Sequence, residues 1–162
     1  MMGSGKTSTG NALAAMLGFT FVDLDAEIEK KEKQSIPAIF AQKGEPYFRN
    51  VETVVLKEFS KRRNHVFATG GGIVLRKENV QCMRETGKVI LLKTSAKTLW
   101  QRVQYTTDRP LLNKPDPFGT LQQILADRES FYDTACHFAV ATDGKLADDV
   151  AHEIREILKV KA

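Results

Sequence analysis

Cysteine is scarce in this 162-residue chain: Cys82 and Cys136 stand alone, with no C-x-x-C pair and no His/Cys spacing. That argues against a disulfide framework or a zinc motif, and the expected setting is a reducing, cytoplasmic one. The three histidines, His65, His137 and His152, form no metal-ligand spacing. No apolar run approaches the roughly 18 residues of a membrane span, and no signal-peptide pattern is visible, so no membrane partner is expected. Repeats and low-complexity tracts are absent. Basic residues are scattered, Lys61-Arg62-Arg63 being the longest run. Without a basic stripe interleaved with aromatics, nucleic acid is not an expected partner.

What remains is an ordinary globule, 42% hydrophobic and 27% charged. Its length suits one domain, 1–162, burying roughly two-thirds of the chain's surface. A net charge of +4 and a pI near 9.1 suit anionic small molecules. Strand-like runs alternate with helical ones, which predicts an α/β fold with a parallel sheet between helices. Helices are expected at 5–17, 25–31, 35–44 (capped by Ser35), 46–60, 76–85, 95–104 (capped by Ser95), 120–135 and 146–159. Strands are expected at 20–23, 65–69, 89–93 and 138–142, the apolar run 89–93 reading as a strand buried on both faces. The stretch 105–118 holds three prolines without periodicity and reads as a long loop of the kind that forms lids.

The chain opens Met-Met-Gly-Ser-Gly-Lys-Thr. Gly5-Lys6-Thr7 ends the phosphate-binding pattern G-x-x-x-x-G-K-[ST], but its first glycine would fall one place before Met1. The hydrophobic strand that feeds such a loop is missing as well. Gly3 and Gly5 let backbone N–H groups converge on anionic oxygens, and the helix that follows adds its own free N–H groups and dipole. Lys6 supplies a mobile charge for phosphates, and the Thr7 hydroxyl a ligand for Mg²⁺. Losing four buried aliphatic residues of such a strand forfeits roughly 6–12 kcal/mol. The expectation is therefore a late start, some eight to ten residues short on typical strand length, and a chain folded loosely around a gap between strands.

Asp23 and Asp25 end the first visible strand, where residues two apart share a face that lines the ligand crevice of an open parallel sheet. One could help hold Mg²⁺ near Thr7 and the other orient a substrate hydroxyl; alternatively Asp25 only caps a helix, with Asp23 on the surface. The strand 65–69 ends without an aspartate, so metal duty falls on Asp23. Arg49 and Glu52 share a helical face, as a plain ion pair or as part of a site. Gly70-Gly71-Gly72 at a strand end costs backbone entropy, which favours close approach of a ligand to the backbone. Arg102, Arg109 and Arg128 are the other arginines placed for function.

Six segments in order, G-S-G-K-T, F-V-D-L-D-A-E-I-E, Y-F-R-N-V-E, A-T-G-G-G, R-P-L-L and R-E-S-F-Y, resemble the shikimate kinase family over nearly the whole chain. The resemblance implies a three-layer P-loop kinase fold with a parallel sheet in the order 2-3-1-4-5, its strand 1 absent here, and a mobile lid. It implies transfer of the γ-phosphate of ATP to the 3-hydroxyl of shikimate, with Mg²⁺, by a monomer. Gly3, Ser4, Gly5, Lys6, Thr7 and Ser8 would hold nucleotide phosphates, with Thr7 and Asp23 on the metal. Asp25 would accept the attacking hydroxyl's proton. Arg49 and Arg128 would grip the shikimate carboxylate, with Glu52 orienting Arg49 and Gly70, Gly71 and Gly72 meeting the ring. Arg109 would touch the transferring phosphate, and Arg102, Thr142 and Asp143 would flank adenine; segment 25–60 would be the substrate-binding part. The competing readings are a gluconate-type kinase of the same fold and a non-catalytic ATP-binding remnant.

Overall fold

The protein is described here by a computed structural model, which places residues 1–105, 112 and 114–160. Helix α1 (Lys6–Leu17) starts from Gly5 and stops at Gly18, whose left-handed backbone lets its N–H close on the carbonyls of Ala14 and Ala15. Strand β1 (Thr20–Asp23) runs into α2 (Leu24–Glu32), which has acidic residues in its first turn and Lys30 and Lys31 in its last, as the helix dipole favours. Helix α3 (Ile36–Phe59) is capped by Ser35 and broken at Gly44 (φ 78°, ψ 170°), so the two expected helices are two arms of one element. Pro46 stands in the first turn of the second arm, where a missing N–H costs nothing.

Strand β2 (His65–Ala68) leads through a 3₁₀ turn (Ile73–Leu75) to α4 (Lys77–Thr86) and β3 (Ile90–Lys93). Then come α5 (Ala96–Val103), capped by Ser95, and α6 (Pro117–Ala135). Asp116 caps α6 by accepting from the Gly119 N–H at 2.9 Å, so this helix begins earlier than the expected residue 120 and shortens the long loop. Strand β4 (Phe138–Ala141) and α7 (Ala147–Val160) end the described chain.

The strands form two parallel pairs, β1 with β2 and β3 with β4. Side chains alternate between two cores, as a period of two requires. Phe67 and Leu91 face a large core built on α2, α3, α5 and α6, including Leu24, Ile39, Leu99 and Leu121. Val66, Ile90, Leu92 and Val140 face a second core with Leu13 of α1 and Ile154 of α7. One strand layer thus lies between two helical layers.

Between β2 and β3 lies a cavity of about 790 Å³, lined by Val66 to Ala68 on one edge and Val89, Ile90 and Leu92 on the other. Apolar side chains of both cores close it, Leu13, Leu17 and Leu158 among them, with Leu56, Phe59 and Met83. It is a gap in the sheet at the place where the expected order 2-3-1-4-5 has its strand 1, and polar residues line it as well, Lys6, Asn64, Thr69 and Glu85 among them. Its effect on β3 corrects one expectation: Ile90, Leu91 and Leu92 are half-buried, not enclosed, because one edge of the strand faces the gap.

Candidate active site

Gly3 (φ 72°) and Gly5 (φ 90°) take up left-handed backbone around the buried Ser4, a conformation that glycine adopts without strain. The loop closes on its own main chain: the Ser4 hydroxyl and the Lys6 ammonium donate to the Met1 carbonyl at 2.9 and 2.7 Å. Thr7 and Ser8 stand exposed on the first turn of α1. Arg102 of α5 donates to the carbonyls of Gly3 (3.2 Å) and Thr142 (3.3 Å), strapping this loop to the turn after β4. The Thr142 hydroxyl shares a 2.6 Å hydrogen bond with that of Thr94. The Asp143 carboxylate accepts from the Ser95 hydroxyl and N–H, and these bonds hold its pKa below the usual carboxylate value. Asp143 therefore ties the turns after β3 and β4 together.

The two aspartates divide the work differently from the expectation that both lie on one strand face. β1 ends at Asp23, and Asp25 belongs to the first turn of α2. Asp23, not Asp25, caps the helix: one oxygen accepts from the Asp25 N–H at 3.0 Å, and the other from the Thr7 hydroxyl at 3.0 Å. Among the described residues no group of three or more His, Cys, Asp or Glu side chains could hold a metal. A hydroxyl and one carboxylate at the surface match a hard divalent cation that keeps most of its water, so the donor set fits Mg²⁺.

Asp25 turns instead toward the glycine triplet. A Cβ at Gly70 would stand 2.9 Å from oxygens of both Asp25 and Glu52, so these two carboxylates converge there. Glu52 is almost wholly buried and pairs with Arg49 at 2.9 Å. Burial pushes the Glu52 carboxyl up, against the pull of Arg49 and with a further push from Asp25. Its Oε1 has no hydrogen-bond partner. Burial also opposes charge on Arg49, but Glu52 and Glu45 outweigh it and raise the guanidinium's pKa. A Cβ at Gly72 would run into that guanidinium. None of the three glycines has a positive φ. Gly70 and Gly72 are required by space, and that space is claimed by the protein's own charged side chains rather than by a ligand alone; a Cβ at Gly71 would make only ordinary contacts, with Met1 and Tyr132.

Two residues escaped the sequence reading. Tyr132 of α6 is buried and donates to the Gly71 carbonyl at 2.8 Å. Burial raises its pKa, partly offset by Arg128, one turn earlier on the same helix, and by Arg49, so both arginines lie near this phenol. Its only signal was its place in R-E-S-F-Y. Glu45 accepts from Arg49 Nε (3.1 Å) and Nη2 (2.9 Å); its spacing of four from Arg49 was the available sign. Arg109 lies outside the described residues, as does half of the expected lid.

The glycine loop before α1 and the cluster around Arg49 and the glycine triplet meet at the Asp23–Asp25 turn and at Met1. The Met1 carbonyl holds Lys6, and its sulfur lies 3.7 Å from the Tyr132 hydroxyl. A profile of the shikimate kinase family matches residues 2–159. The chain is 44% identical over 161 residues to shikimate kinase of Symbiobacterium thermophilum, covering 98% of this chain and 92% of that one. It is 39% identical to that of Caldanaerobacter subterraneus, covering 99% and 94%. Among solved structures, shikimate kinase from Acinetobacter baumannii in complex with shikimate superimposes with a TM-score of 0.95 at 39% identity, covering 99% and 90% of the two chains. The enzyme from Aquifex aeolicus gives 0.83 at 31%, covering 99% and 92%. The chain belongs to the shikimate kinase family.

Proposed function

We propose that this protein transfers the γ-phosphoryl group of ATP to the 3-hydroxyl of shikimate. The observation that carries the reading is a buried guanidinium, Arg49 on Glu52, converging with Asp25 on the glycine triplet two residues from the Asp23 that pairs with Thr7. Phosphoryl transfer asks a protein mainly to align two oxygens and to offset spreading negative charge. Arg49 and Arg128 hold the shikimate carboxylate and fix the ring. Asp25 accepts a hydrogen bond from the attacking hydroxyl and takes its proton as the new O–P bond forms. The bond from the γ-phosphorus to the bridging oxygen breaks, and ADP leaves with that electron pair. Lys6 and the N–H groups around Gly3 and Gly5 neutralise the phosphates, and Arg109 of Arg-Pro-Leu-Leu joins them. Thr7 and Asp23 would hold Mg²⁺, which would supply further neutralisation of the phosphate charge. Arg102 and the turn at Thr142 and Asp143 flank adenine. The protein works as a cytoplasmic monomer.

The test is ADP release from ATP and Mg²⁺ by this 162-residue chain, with and without shikimate. Release that depends on shikimate is expected. ATP consumption indifferent to shikimate would overturn the assignment.

A further inference from the structure

Arg49 presents a fork of donors that pairs a planar carboxylate through two parallel bonds. On its inner side Nη1 is taken by Glu52 at 2.9 Å, one face is closed by the Gly72 backbone, and the Phe48 ring centroid lies 5.1 Å away. The Nε/Nη2 edge is already occupied by Glu45. Glu45 stands directly after the break at Gly44 and keeps 48% of its side chain exposed, whereas Arg49 keeps 10%. Glu45 is thus the solvent-side cover of a buried cation. It covers it imperfectly, because a single oxygen, Oε1, receives both N–H groups. A ligand carboxylate offering two oxygens makes the better pair.

We infer that Glu45 is an intramolecular competitor, holding the edge of Arg49 that the substrate carboxylate takes and making the site selective. With Glu45 and Glu52 both paired to it, Arg49 meets an incoming simple anion already neutralised. Such an anion must displace Glu45 with no other contact to help it. A substrate that also engages Asp25, Arg128 and the glycine triplet displaces Glu45 and keeps those contacts. Glu45 then swings outward beside the Gly44 break. This inference rests on Arg49 binding the substrate carboxylate.

The experiment is Glu45→Gln, which keeps shape and removes charge, assayed beside Arg49→Ala. Scaled as a solvent-facing ion pair, because Glu45 is half exposed, the pair corresponds to about a two- to fivefold effect. Glu45→Gln should lower the KM for shikimate by that factor and leave the KM for ATP unmoved. Inhibition by acetate and benzoate should tighten by at least as much. A merely structural role for Glu45 would raise the shikimate KM, because Arg49 would lose its hold. An unchanged or raised shikimate KM in Glu45→Gln, with a strongly raised one in Arg49→Ala, overturns the competitor role alone. An unchanged KM in Arg49→Ala overturns both that role and the carboxylate assignment beneath it.

Discussion

Lys6 and Asp25 illustrate how much of this site is single atoms held by short local bonds. Lys6 lies 2.7 Å from the Met1 carbonyl, at the start of α1 beside the loop whose N–H groups we propose as its partners in phosphate binding. Asp25 has its own N–H fixed by Asp23 and its carboxylate turned toward Gly70 beside Glu52. Neither substitution should disturb the larger core, whose packing involves neither side chain. Lys6→Ala and Asp25→Asn are therefore expected to depress kcat by on the order of 10²-fold or more, the usual cost of removing a charge aimed at the transition state. Steady-state kinetics at saturating ATP and shikimate would check this. A kcat within a few-fold of the parent's for either variant would remove that residue from the chemical step.

At the level of elements, the site depends on one irregularity in α3. Gly44 has φ 78° and ψ 170°, a region open essentially to glycine alone. The break re-aims the second arm, so that Arg49 and Glu52 face the glycine triplet and Glu45 covers Arg49 from the solvent side, while Ile39 and Phe48 stay in the core. Gly44→Ala should cost about 1–3 kcal/mol of stability, read as a lower urea midpoint, and should raise the shikimate KM as Arg49 shifts. Gly18→Ala is the comparison: its φ is 65°, a simple left-handed cap with nothing near an added Cβ, and about 1 kcal/mol is expected. An equal loss of shikimate affinity in both variants would contradict a specific role for the break. Element boundaries were largely legible because caps and breaks are local: Ser35, Ser95, Gly18 and Gly44 act within four residues of themselves. The start of α6 was misplaced because the cap of Asp116 sits in a segment without hydrophobic period.

For the molecule as a whole, folding of a chain that starts with a free amine at Met1 is coupled to pH. In a chain with a free amine at Met1, burial, reinforced by Lys6 and Arg128, lowers that amine's pKa from 8.0 to about 4. Between those values the unfolded chain holds a proton that the folded chain does not. Stability therefore rises with pH across that window and is lost as pH falls through it. Glu52 acts in the opposite direction, since its raised pKa favours the folded state at low pH. Comparing the free chain with its Nα-acetylated form isolates the amine. The change in urea midpoint on going from pH 5 to pH 8 should be more positive in the free chain than in the acetylated one; equal pH dependence would show that the amine is not buried.

The residues by themselves determined the alternation of strands and helices, the glycines of the phosphate loop, the spacing of Thr7 from Asp23 and the Arg49–Glu52 pair. These follow from backbone preferences and side-chain periods that act over a few residues. Tertiary structure alone decided that Asp23 caps α2 while Asp25 joins Glu52, that Glu45 covers Arg49, and that Tyr132 reaches Gly71 across 61 positions. It also decided that β2 and β3 face a cavity with their edges unjoined and their side chains half-buried. Such facts depend on which distant surfaces meet, and a period of two or of 3.6 says which face is apolar without saying what covers it.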